Sequence, residues 1–139
     1  MNKSSRRRFI ADTGKAAMSG TLILAANNTK QMELKNTFVH HVYFWLKNKD
    51  SKDDLNKLIA GLRKLSAVKT IKQFHIGKPA DTNRDVIDTS YAVSWLVFFD
   101  NGTDQASYQT DPVHLKFVEE CSSIWTKVIV YDTVNVSVR

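Results

Sequence analysis

The residues best suited to chemistry are a phenol and an imidazole six residues apart, in Tyr108-Gln109-Thr110-Asp111-Pro112-Val113-His114. Asp111-Pro112 reads as a helix start, a carboxylate cap followed by proline at the first helical position. The capping carboxylate can accept a hydrogen bond from the backbone N–H of Val113 or His114. His114 then lies in the first turn, where the positive end of the helix dipole disfavours the imidazolium. A neutral imidazole beside a tyrosine hydroxyl is an acid–base pair for a small substrate. The bland alternative is a hydrogen-bonded structural histidine and a tyrosine at the rim of the core.

The elements that must position this pair follow from periodicity. Phe38 to Leu46 is rich in aromatic and β-branched residues and reads as a strand. His40, Val42, Phe44 and Leu46 share one face, and Val39, His41, Tyr43 and Trp45 the other. Ser51-Lys52-Asp53-Asp54 starts a helix with an apolar stripe at Leu55, Leu58, Ile59, Leu62 and Leu65. A second strand is predicted over Val68–Ile76, with His75 alternating away from Phe74 and Ile76 toward a sheet edge. The long polar connection Gly77–Thr89 suits a lid, a partner contact or a plain hairpin link. Ser90–Phe99 is predicted as the third strand, with Tyr91, Val93, Trp95, Val97 and Phe99 on one face. A short helix over Thr103–Gln109, a longer one from Pro112 to about Trp125 and a strand over Lys127–Val136 complete the order.

That order, β-α-β-β-α-β, is a split βαβ pair: an α+β fold with helices on one face of a four-stranded antiparallel sheet. The first and third strands nevertheless carry aromatics on both faces. An uncovered aromatic sheet face is too large a patch for a monomer. A homodimer formed sheet to sheet, closing a barrel-like core, is the expectation.

The chain has 139 residues, enough for one core. Ser5-Arg6-Arg7-Arg8-Phe9-Ile10 matches the twin-arginine export pattern, and the apolar run Ala16–Ala26 suits a signal segment rather than a membrane span. Residues 1–26 are therefore expected to be a removable signal, 27–36 a linker and 37–139 the folded domain, exported and periplasmic. Lys3, Arg6, Arg7, Arg8 and Lys15 against Asp12 account for +4 of the formal +6. No basic stripe with interleaved aromatics remains, so nucleic acid is not an expected partner, nor is a membrane once the signal is gone. Cys121 is the only cysteine, which excludes an intramolecular disulfide. Its helical register with Val113, Phe117 and Ile124 marks a buried core position, a reactive thiol being the sharper alternative. Histidines at 40, 41, 75 and 114 lack paired-ligand spacing, so no metal is expected.

From Phe38 to Val136 the chain resembles the stress-responsive A/B barrel domain of the dimeric α+β barrel group. The matching features are the histidine-led first strand from His40, the Tyr108…Pro112-x-His114 segment, and Val130-Tyr131-Asp132 on the last strand. The resemblance implies a ferredoxin-like fold in a dimeric α+β barrel. A plant polyketide cyclase of this group uses a similar tyrosine and histidine for an aldol closure. By that likeness His114 would be a general base on an acidic C–H and Tyr108 the hydroxyl polarising a carbonyl. His40 would line a ligand cavity with Val42, Phe44 and Leu46. Family segments often carry a second histidine just before the proline; Asp111 here removes that base. No cofactor is expected. Two other readings stand beside the enzyme: a non-catalytic dimer holding a small apolar or aromatic ligand, and a haem-associated activity with His114 or His40 as axial ligand.

Overall fold

A computed structural model describes residues 31–137; the expected signal, 1–26, and residues 27–30 of the expected linker lie outside them. Seven main elements follow in order: β1 (Phe38–Leu46), α1 (Lys52–Leu65), β2 (Gln73–Gly77), β3 (Val93–Phe99), α2 (Gly102–Thr110), α3 (Pro112–Cys121) and β4 (Trp125–Val134). The four strands form one antiparallel sheet in the order β2-β3-β1-β4. This is the ferredoxin-like α+β arrangement anticipated from the element order. No helix among the described residues is long and apolar enough to cross a membrane.

Local chemistry explains the elements. Ser51 caps α1 by accepting from the Asp54 N–H at 3.2 Å, and Asp53 and Asp54 occupy the first turn, where carboxylates suit the dipole. Leu58, Leu62 and Leu65 are at most 1 % exposed, so the apolar stripe read from spacing is the buried one. They pack with Val42, Phe44, Leu46, Val93, Trp95, Val97 and Phe99 from the sheet and with Phe117 and Cys121 from α3. Cys121 is thus a core thiol, and burial pushes its pKa up. α1 and α3 meet at Gly61, where an added Cβ would come within 2.8 Å of Cys121 Sγ.

Three expectations are corrected. β2 starts at Gln73, not Val68: after α1 the chain turns, and buried Val68 is a core plug. β3 starts at Val93, so strand alternation does not reach Tyr91. Tyr91 turns to the helix-free face, 4.9 Å from the Tyr43 ring, whereas Trp95 is buried beneath the helices. α3 stops at Cys121, and a 3₁₀ turn over Ser122–Ile124 delivers Trp125 into β4 opposite Leu46, across an irregularity at Trp45/Leu46.

Candidate functional site

Asp111 is the corner on which the site is built. It ends α2, its backbone N–H bonding the Tyr108 carbonyl at 3.2 Å, and it begins α3, its Oδ1 accepting from the Val113 N–H at 2.8 Å. Pro112 follows at the start of α3, where its missing N–H costs nothing. The corner sets Tyr108, on the last turn of α2, against His114, on the first turn of α3, with ring centroids 4.6 Å apart.

Both rings line a cleft of about 130 Å³ between the helices and the inner sheet face. His40, Val42 and Phe44 form its floor, and Trp95, Phe117 and Trp125 close its sides. Leu46 is buried in the core but is not among the lining residues. Val118, Val128 and Val130, all partly exposed, stand at the β4 side of the cleft. A dry cavity of about 150 Å³ accepts a benzene ring, so this open cleft is on the scale of a single ring. A porphyrin is several times larger than this cleft.

The polar groups are few. The Tyr108 hydroxyl accepts from the Trp95 indole N–H at 3.1 Å, so its own proton is free to donate. Burial pushes its pKa up to about 12, against the Trp95 hydrogen bond, which lowers it. At neutral pH this group is a hydrogen-bond donor and not a phenolate. His114 Nδ1 is buried and makes no hydrogen bond of regular geometry; the ring's polar neighbour is the Gln109 backbone carbonyl. Burial is the main cause that lowers the His114 pKa, nearby His40 adds to it, and the Gln109 carbonyl and Asp111 oppose it. The neutral imidazole expected from the helix dipole is therefore favoured chiefly by burial. His40, only 4 % exposed, donates from Nδ1 to Asp132 Oδ1 at 2.6 Å. With Nδ1 so engaged, Nε2 is the ring nitrogen left over.

Sequence reasoning left two members unassigned. Asp132 pairs directly with His40 in the β1–β4 register, and alternation with Val128 and Val130 marked it as facing inward. Trp95, the donor to Tyr108, gave no signal beyond its place in an apolar strand.

A family model, the stress responsive A/B barrel domain, matches residues 38–135. This chain belongs to that family. Solved structures agree on the fold. An A/B barrel protein from Mesorhizobium loti, described as ferredoxin-like, is 19 % identical with a TM-score of 0.61, covering 73 % of this chain and 98 % of its own. The Arabidopsis thaliana protein At3g17210 is 25 % identical, with a TM-score of 0.61 and the same coverages, 73 % and 98 %. A hydroxynitrile lyase from Passiflora edulis is 19 % identical with a TM-score of 0.61, covering 74 % of this chain and 96 % of its own. A Bacteroides fragilis protein described as dimeric and ferredoxin-like superposes with a TM-score of 0.59 at 14 % identity, covering 74 % of this chain and 100 % of its own. No curated protein matches this A/B barrel chain.

Proposed function

We propose that this A/B barrel protein binds a small aromatic carbonyl compound in the Tyr108–His114 cleft and performs acid–base chemistry on it. The observation that carries the reading is the meeting, in one cleft, of a buried imidazole nitrogen with no hydrogen bond of regular geometry and a hydroxyl whose proton is uncommitted. His114 removes a proton from an acidic C–H or hydroxyl, and Tyr108 donates a hydrogen bond to the carbonyl oxygen as charge builds there. His40, held by Asp132, is a second imidazole in the wall, positioned to steady the bound ring. The same division of labour serves an aldol closure and the cleavage of a hydroxynitrile to a carbonyl compound and cyanide, the latter being the kind of reaction named for the Passiflora edulis protein.

The test uses acetophenone, a single ring with an acidic C–H beside a carbonyl, and follows deuterium uptake at its methyl group by NMR. Exchange should be catalysed by the wild type, fall at least about 10²-fold in His114→Ala and fall in Tyr108→Phe. Stability of His114→Ala should stay within about 1–2 kcal/mol. No catalysed exchange with acetophenone, and no benzaldehyde released from mandelonitrile, would remove the enzyme reading. A melting temperature raised by either compound without product would leave a ligand-binding dimer.

The wider assembly belongs to the same proposal. The helix-free sheet face carries Val39, His41, Tyr43, Trp45, Leu96, Phe98, Ile129 and Tyr131, an apolar and aromatic surface that a second copy would cover. Similar folds from Bacteroides fragilis and Thermobifida fusca are described as dimeric, which supports a homodimer here. The twin-arginine pattern at Ser5–Ile10 supports export to the periplasm.

A further inference from the structure

The helix-free face carries a polar row that the cleft does not use. His41 lies opposite Leu96 on β3 and Tyr131 on β4, and Leu96 in turn lies opposite His75 on β2. One row across all four strands therefore reads His75, Leu96, His41, Tyr131. The two imidazoles are two strands apart, roughly 9–10 Å. His41 Nδ1 shares a hydrogen bond with the Tyr43 hydroxyl at 3.1 Å, and the two rings are 4.3 Å apart. His41 Nε2 is buried with no partner among the described residues, although no helix of the domain covers this face.

A neutral His41 is compatible with this setting, because Tyr43 can donate to Nδ1 or accept from it. A protonated ring must donate from both nitrogens, and the second has no acceptor. The groups that face it supply no countercharge. β1 offers Tyr43, with His40 behind the sheet; β2 offers His75; β4 offers Tyr131 and, farther along, Lys127. β3 offers Leu96, Phe98 and Ser94, none of them titratable. The carboxylate on this side, Asp88, shares a cleft with Tyr43, Tyr91, Lys127 and Tyr131; it accepts from the Ser90 N–H at 2.7 Å, has Lys127 as its neighbouring cation and is not among the charges acting on His41.

We propose that His41 makes the sheet-to-sheet dimer pH-sensitive, so that protonating it beneath a second copy drives the two protomers apart. This rests on the dimer proposed above. Symmetry places the same row on both protomers, so mild acid would put two His41 charges into one apolar interface. In the lone protomer burial, then His75 and His40, already lower the His41 pKa from its ordinary value near 6.5; a second copy over the ring would remove more water and, with its own His41 brought near, lower it again. A group whose charged form is disfavoured on association leaves the dimer fully stable above about 6.5 and weakens it as pH falls through the lowered value. Each unit of further lowering on association is worth about tenfold, so two copies of His41 allow roughly a hundredfold rise in dimer Kd.

Sedimentation velocity at pH 7.5 and 5.0, with far-UV circular dichroism to establish that the fold is kept, tests this. The expected result is a dimer at pH 7.5 whose Kd rises at least about tenfold at pH 5.0. In His41→Gln that dependence should flatten, while His75→Gln should keep most of it. A wild-type dimer equally tight at both pH values would overturn the inference and leave the dimer standing. A monomer at both would overturn the dimer itself. An unchanged dependence in His41→Gln would also overturn it. Should His41→Gln fail to fold, titration of the wild-type His41 ring by NMR replaces it. A His41 pKa that falls as protein concentration rises supports the inference, and one independent of concentration sinks it.

Discussion

Replacing Tyr108 with phenylalanine removes one oxygen from the centre of the molecule and strands one proton. Tyr108 and Trp95 are each 1 % exposed, and the indole N–H donates to the phenol oxygen at 3.1 Å. Without that oxygen the indole N–H is buried and unpaired, which costs about 1–3 kcal/mol. For a domain of this size each kcal/mol lowers the melting midpoint by about 4–8 °C. Trp95→Phe destabilises by a different route, leaving space in the core, but it also removes the donor that would be stranded. Tyr108→Phe made in the Trp95→Phe background should therefore cost about 1 kcal/mol less than in the wild type. Chemical denaturation of the four proteins of this cycle measures the coupling. Proton exchange on acetophenone, followed in the same set, should fall wherever the phenol is missing, whether or not the midpoint recovers. A coupling below about 0.3 kcal/mol would refute the reasoning, because the hydrogen bond would then not be what holds the hydroxyl.

Two further substitutions probe the scaffold. Gly61→Ala should destabilise by about 1–3 kcal/mol despite alanine's better helix propensity, because its methyl would meet Cys121 Sγ at 2.8 Å and Phe117 Cδ2 at 3.1 Å; a midpoint equal to or above wild type would contradict this. Asp111→Ala removes the cap on the Val113 N–H and should cost about 1 kcal/mol. It should also lower turnover more than it lowers stability, since it loosens the angle between Tyr108 and His114; acetophenone exchange at wild-type rate would show the corner to be dispensable.

Much of the frame was legible because burial and periodicity coincide in it. The alternation of β1 separated His40, Val42 and Phe44 from His41, Tyr43 and Trp45, and the two sets do face opposite sides of the sheet. The cap at Asp111 was equally readable, since carboxylate, proline and a two-residue reach to the Val113 N–H are local facts. Positions decided by tertiary contact were not readable. Val68 continues an apolar pattern but belongs to a core plug, and Tyr91 continues an alternation that the ladder has already abandoned. The partner of His40 is ninety-two residues away, and only the register of β1 on β4 brings Asp132 to it. The hydroxyl of Tyr108 was a candidate from its type alone; that Trp95 would be its donor depends on the tilt of α2 over β3, which no spacing encodes.

The junction at Asp111 has a mechanical consequence. Phenol and imidazole ride on different rigid rods, and a lone carboxylate sets the elbow between them. If the proposed cleft chemistry holds, altering that elbow would change the angle between the two groups while the pleated platform underneath stays untouched.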